Sequence, residues 1–270
     1  MEIRNLFAAE CHEEVLAQGQ NKLLKAKSAE WLSLSLPYKY SYHFSALGRP
    51  IIQYPQDIVA LQELIWAVRP DLIVETGIAH GGSLILSASV LALLDFCEAA
   101  ETGTTLDPRK SKRRVLGIDI DVREHNRLAI EAHPLSHRID MIEGSSISTD
   151  VISQVYGAAR KAERVMVILD SNHTHEHVLA ELEAFAPLTS PGSYCVVFDT
   201  VVEDLPDSMF ENRPWSKGNS PKTAVFEYLR TLESEGRRAL DGDQLHLAVD
   251  DFIESKLLIT VAPSGYLKRV

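Results

Sequence analysis

The chain has 270 residues, 45% of them hydrophobic and 24% charged, which excludes disordered and fibrous classes and suits one large α/β domain with a short N-terminal extension. Lys and Arg number 27 against 38 Asp and Glu, and the formal net charge of -11 argues against a nucleic-acid binder relying on bulk positive charge. Three scattered cysteines (Cys11, Cys97, Cys195) make neither a disulfide framework nor a CxxC zinc motif and fit a reducing compartment. The opening MEIRNLFAAECHEEV lacks a basic region followed by an apolar run. The longest apolar stretch, residues 84–94, is interrupted by Ser87 and Ser89 and is too short to span a bilayer. A cytoplasmic protein with no membrane span is expected.

Residues 1–27 carry apolar side chains at helical spacing (Leu6, Val15, Leu16, Leu23, Leu24), and residues 31–50 are rich in aromatics and turn formers. Residues 1–50 therefore read as an N-terminal helix and extended segment. They form a lid over an active site, a contact in a homo-oligomer, or a plain surface appendage. Residues 51–270 read as the main domain, in which helix-like and strand-like segments alternate as a mostly parallel sheet requires. An amphipathic helix covers 55–68, a buried strand 71–75 and a helix 83–99. The polar, basic stretch 101–114 is a loop, followed by a strand at 114–118 and a helix at 122–132. A short strand at 140–143, a helix at 150–162, a strand at 165–170 and a helix at 175–186 come next. A fifth strand spans 193–199. Ser220 and Pro221 open a helix to about residue 232, as a capping serine followed by a first-turn proline does. Two last strands are expected at 245–249 and 256–261.

Open parallel sheets bind ligands at the carboxyl ends of their strands, so the residues following each strand hold the candidate chemistry. After the first strand, Glu75-Thr76-Gly77-Ile78-Ala79-His80-Gly81-Gly82-Ser83 lets backbone approach a ligand and presents the free N–H groups of a helix start. An acid before the first glycine suits a ligand carrying an ammonium group and disfavours a pyrophosphate. The GxGxxG dinucleotide fingerprint is absent, which counts against a nicotinamide oxidoreductase. Asp119, ending the second strand, is placed to accept from ribose hydroxyls, while Asp121 is expected to cap the next helix. Ser145 and Ser146, after the third strand, stand where an adenine edge is read. Asp170 and Asp199 end the adjacent fourth and fifth strands and should converge, and two buried like charges call for a cation between them. Carboxylate oxygens favour Mg²⁺ or a similar ion. His173, three residues beyond Asp170, faces that cation and can take a proton from a hydroxyl there. His175 and His177 fall at the start of a helix as exposed positions, His80 lines the glycine loop, and an HxHxH zinc site lacks its defined further ligand.

The strand-end set IVETGIAHGGS, VLGIDID, IEGSSIS, VILDSNHTHEHV and VVFDTVVEDLP, with RPWSKGNSPKTAVFEYL and KLLITVAPSGYLKR, resembles the cephalosporin hydroxylase family over residues 50–269. The resemblance implies a Rossmann-like class I methyltransferase fold. That means a mostly parallel seven-stranded sheet with helices on both faces, here plus an N-terminal helical extension. It also implies an S-adenosylmethionine-dependent O-methyltransferase of the kind that includes rhamnosyl enzymes, and the motif order is similar to catechol-type O-methyltransferases as well. By resemblance Glu75, Gly77, Ala79 and Ser83 hold the methionine part of the cofactor, Asp119 the ribose, and Ser145 and Ser146 the adenine side. In the resembling proteins the ion is held by the fourth-strand acid and two residues around the end of strand five. Here those two positions fall among Phe198, Asp199 and Thr200, so the third ligand is the Thr200 hydroxyl, an inward-swung Glu203 or Asp204, or water. His173 stands where the catechol-type enzymes place a lysine base.

The reaction expected is a single in-line displacement of a sulfonium methyl by an acceptor hydroxyl, with Asp170 and Asp199 holding the ion and His173 accepting the proton. The acceptor is a small molecule or glycan entering over residues 205–220, where Phe210 and Trp215 are available to stack on a sugar face. The rival readings are a hydroxylase-type oxidoreductase on the same fold and an inactive scaffold that keeps the fold.

Overall fold

The apolar runs that end in glycine or an acid form the parallel strands of one seven-stranded sheet. The computed structural model describes residues 2–270, with side chains from Leu6 onward, so Met1, where the expected first helix begins, lies outside the described residues. In chain order the elements are α1 (Glu2–Gln20), α2 (Lys22–Ser35), β1 (Phe44–Ala46), β2 (Arg49–Ile51), α3 (Pro55–Val68), β3 (Leu72–Thr76), α4 (Gly82–Thr102), β4 (Arg114–Asp119) and α5 (Glu124–Glu131). There follow β5 (Ile139–Glu143), α6 (Thr149–Ala159), β6 (Val165–Leu169), α7 (His175–Phe185), β7 (Tyr194–Val197), α8 (Pro221–Glu235), β8 (Leu247–Val249), α9 (Asp251–Lys256) and β9 (Tyr266–Arg269). The main sheet runs β5-β4-β3-β6-β7-β9-β8, with β9 antiparallel to both of its neighbours. This is the sheet of a class I methyltransferase fold.

Every residue of β3, β6 and β7 is buried, because helices cover both faces. Alternate residues serve the two faces. Ile73 packs with Leu64, Ile65, Leu84 and Leu91 of α3 and α4, whereas Leu72 and Val74 pack with Val155, Leu182 and Leu232 of α6, α7 and α8. Helix α4 is 21 residues long and, by length and composition alone, apolar enough to cross a membrane. Its Leu84, Ile85, Ala88, Leu91 and Leu94 are spent in this core.

Two expectations change. Residues 257–261 form no strand, and the last strand is β9 instead. The backbone there is held by a side chain in place of a sheet partner: buried Asp57 of α3 accepts from Val261 N (3.0 Å), Thr260 Oγ1 (2.5 Å) and Tyr266 OH (2.8 Å). Residues 31–50 are also more regular than an extended segment. They complete α2, pass through two short 3₁₀ turns and form the β1–β2 hairpin, with Phe44 opposite Ile51. Helix α1 rests on α9, where His12 stacks on Phe252 (4.7 Å between ring centroids) and Gln18 Nε2 donates to the Ser255 carbonyl (3.0 Å).

Candidate active site

Each chemical group stands where a parallel strand hands over to its loop. The turn after β3 requires glycine, since Gly77 has φ +89° and a Cβ there would lie 1.9 Å from the Asp170 carbonyl oxygen. Asp119, ending β4, gathers that turn: its Oδ2 accepts from Ile78 N (2.8 Å) and Ala79 N (3.2 Å), and its Oδ1 from Asp121 N (3.2 Å). Asp121 therefore does not cap α5, whose N-cap is Arg123. Glu75 is buried beneath the turn. Its Oε1 accepts from Ser83 Oγ and its Oε2 has no partner. Burial, opposed by the Ser83 hydrogen bond, raises the Glu75 carboxyl to about 7.

Two cavities flank Gly77. One of about 220 Å³ is lined by Gly77, Ala79, His80, Ser83, Asp170 and His173, and roofed by Ile51 and Ile52 from the hairpin side. The other, of about 160 Å³, is lined by Asp119, Gly144, Ser145, Ser146, Asn172 and His177. The expected cofactor residues other than Glu75 thus line two cavities that share Gly77 and are together called the groove, while Glu75 lines neither. A third and larger cavity, of about 590 Å³, opens on the other side of His173 and Asp199. It is lined by Tyr42 and Tyr54 from the N-terminal side and by Phe210, Arg213 and Trp215 from the long loop.

At the junction of these spaces, one ligand atom each from Asp170, His173 and Asp199 lie within 4.8 Å of one another. Asp199 departs from strand geometry with φ +53°, between Phe198 and Thr200, both buried in the core. His173 Nε2 stands 3.1 Å from Asp199 Oδ2, and the Trp215 ring meets the imidazole edge-on at 4.7 Å. Burial, then the Asp199 carboxylate, then Glu75, push the Asp170 carboxyl well above the usual range. That repulsion is the condition a bound cation relieves, and two carboxylates beside an imidazole are donors suited to a divalent ion.

Thr200 is not brought to this cluster. It is fully buried and its Oγ1 donates to the Pro263 carbonyl (2.7 Å), because the chain beyond Asp199 turns back into the core. Glu203 is engaged too, accepting from Gly218 N (2.8 Å) and Ser220 Oγ (2.7 Å), while Asp204 pairs with Lys222. Of the other histidines, His175 ties α7 to α8 through Thr223 Oγ1 (2.8 Å) and Glu227 (3.2 Å). His177, expected as an exposed helix position, instead lines the groove with its Nε2 3.1 Å from Ser146 Oγ.

Sequence spacing missed three residues at the site, each reaching it from far along the chain. Arg49 of β2 donates through Nη2 to the His80 carbonyl (2.7 Å) and to Asn126 Oδ1 (3.1 Å). Asn126 Nδ2 donates to the Ala79 carbonyl (2.9 Å). Gln53, following the hairpin, donates to Asp170 Oδ2 (3.0 Å). The arginine in the aromatic, turn-rich N-terminal stretch was the one available signal.

A family model described as Rhamnosyl O-methyltransferase/CmcI matches residues 38–270. A curated rhamnosyl O-methyltransferase of Mycobacterium tuberculosis is 28% identical over 217 residues, covering 79% of this chain and 73% of the relative. One from Mycobacterium leprae is 26% identical over 224 residues, covering 83% and 82%. Among solved structures, one of CmcI with Mg and SAM covers 85% of this chain and 77% of its own, at 17% identity and a TM-score of 0.49.

Proposed function

The chain belongs to the rhamnosyl O-methyltransferase/CmcI family, and on that premise we propose that it methylates a hydroxyl of a sugar or glycosylated natural product, using S-adenosylmethionine and a divalent cation such as Mg²⁺. The observation that carries this reading is the meeting of Asp170, His173 and Asp199 between a groove suited to the cofactor and a separate aromatic cavity suited to the acceptor.

The groove supplies recognition along its length. Free N–H groups at the start of α4, with the Ser83 hydroxyl, face the methionine end, and the buried Glu75 Oε2 waits without a donor where an ammonium is expected. Asp119 already holds the glycine turn in shape and accepts from ribose hydroxyls. Ser145, Ser146 and His177 border the adenine end. Bound S-adenosylmethionine supplies the methyl group, and a divalent ion held by Asp170 and Asp199 lowers the pKa of the acceptor hydroxyl.

His173 then acts as the base. Its Nε2 lies 3.1 Å from Asp199 Oδ2, so that carboxylate stands ready to stabilise the imidazolium formed when the ring takes a proton. The part of His173 in methyl transfer is to take up the proton that the acceptor hydroxyl gives up. Trp215 and the apolar wall around it exclude water from the imidazole and offer a stacking face for a sugar. Within the N-terminal segment, residues 36–50 serve as a cover, since Pro50 of the hairpin lines the groove and Tyr42 lines both the groove and the acceptor cavity. One imidazole with two carboxylates is not the two-histidine, one-carboxylate set of an iron oxygenase, so the hydroxylase reading gains no support from the donors present.

The test is calorimetric titration of S-adenosylmethionine with Mg²⁺ and with EDTA, followed by methyl transfer to a panel of rhamnosides. Micromolar binding, with transfer that EDTA suppresses, supports the reading. Absence of binding under both conditions defeats it.

A further inference from the structure

The three-residue cluster poses a conflict. If His173 is the base it is not at the same time a ligand, and two carboxylates remain for the ion. Hard divalent cations take six or more oxygens, among which amide carbonyls are ordinary members. The neighbouring side chains are drawn into other contacts. Thr200 Oγ1 is committed to Pro263, Glu203 to Gly218 and Ser220, and Asp204 to Lys222, while Phe198 packs into the core.

Gln53 is the exception. It is 4% exposed and lines both the groove and the acceptor cavity, in each case together with His173 and Asp199. Its Nε2 donates to Asp170 Oδ2 at 3.0 Å, and its Oε1 is buried with no donor among the described residues. A fully desolvated amide oxygen is costly to leave unpaired, and the chain spends a polar side chain on it at the meeting point of two cavities. Both atoms belong to one planar amide, so the bond to Asp170 keeps Oε1 in the neighbourhood of that carboxylate.

We propose that Gln53 is a cation-site residue: its side-chain carbonyl completes the oxygen set of Asp170 and Asp199, while its Nε2 orients Asp170. His173 is thereby left to handle the proton. The inference rests on the cation-assisted reading of the site. It gives a segment outside the sheet a direct part in the ion's affinity, through neutral oxygen in place of a further charge.

Mn²⁺ binding to the full chain, read from the electron paramagnetic resonance of the free ion without cofactor or acceptor, tests this directly. Gln53→Leu should weaken Mn²⁺ by about tenfold or more, the range found when residues supporting a metal site are removed. Gln53→Glu restores an oxygen and adds charge, so it should bind Mn²⁺ at least as tightly as the parent. Without the ion, that variant crowds two carboxylates at Asp170. Its Tm should therefore fall in EDTA and recover with Mn²⁺. Asp199→Asn is the reference for loss of a carboxylate ligand. If it weakens Mn²⁺ while both Gln53 variants bind like the parent, the assignment of Gln53 is overturned and the cation reading stands. If the parent itself binds no Mn²⁺, both fail together, and cofactor binding measured separately shows whether methyl transfer survives as a metal-free reading.

Discussion

His173 Nε2 lies 3.1 Å from Asp199 Oδ2 because the Asp199 backbone adopts φ +53° and swings its carboxylate out of the alternation of the strand. In the proposed mechanism the two residues serve as base and orienting acid beside the cavity assigned to the acceptor. His173→Ala should lower kcat by roughly 10²- to 10⁴-fold, the usual contribution of a positioned base. The affinity for S-adenosylmethionine, measured by calorimetry, should stay within about threefold of the parent, since the groove contacts survive. Equal losses in turnover and cofactor affinity would remove His173 from the chemistry.

Glu75 links the groove to pH. Its carboxyl is raised from 4.5 to about 7 by burial, so the folded state binds this proton more tightly than the unfolded chain. The contribution to stability is therefore full below about pH 4.5 and is lost as pH rises towards 7 and beyond. Glu75→Gln should raise Tm at pH 8, by an amount worth at most about 3 kcal/mol, and flatten the fall between those values. An ammonium placed at the unpartnered Oε2 reverses the preference. Cofactor binding near pH 7 should then release a proton, seen as a dependence of the calorimetric heat on buffer ionisation enthalpy, and Glu75→Gln should abolish that dependence. A heat independent of buffer in the parent would separate Glu75 from the ammonium.

Arg49 is the clasp between the N-terminal hairpin and the glycine turn. Its Nε and Nη2 both donate to the His80 carbonyl (3.0 and 2.7 Å). Losing these charge-assisted bonds in Arg49→Ala should cost about 1.5–3 kcal/mol. The hairpin should exchange its amide hydrogens faster, and cofactor affinity should fall, while the sheet keeps its protection. Hydrogen exchange over residues 44–53 reads this directly. Unchanged exchange there would mean that Ile51 and its neighbours hold the hairpin without the clasp.

These contacts mark the limit of what the sequence reveals. Asp119, Asp170 and Asp199 were legible because a parallel strand that ends in an acid points it at the ligand edge, whatever lies elsewhere in the chain. Ser145 and Ser146 follow by the same rule. Gln53 and Arg49 were not, since their partners lie 117 and 31 residues away and no local pattern couples them. Thr200 failed as a ligand candidate for a local reason: the left-handed turn at Asp199 sends the next hydroxyl to Pro263. The apolar run 257–261 misled because hydrophobicity alone does not reveal that Asp57 takes the place of a strand partner.

Trp215 lines the largest of the three cavities and meets His173, the proposed base. Its ring meets His173 at 87° and 4.7 Å, and the Arg213 guanidinium stands 5.3 Å from its centroid. A sugar stacked on this ring gains affinity in proportion to the face covered, and the imidazole gains a wall that limits its orientations. Trp215→Ala should thus raise the acceptor KM by about tenfold, with a smaller fall in kcat, because a lost stacking face is mostly lost binding. Trp215→Phe should recover most of the KM effect. Steady-state kinetics with a rhamnoside acceptor at saturating cofactor separates the two constants. A fall confined to kcat would show that the ring only braces His173, and the stacking face for the sugar would then have to be sought on Tyr42 or Phe210, which line the same cavity.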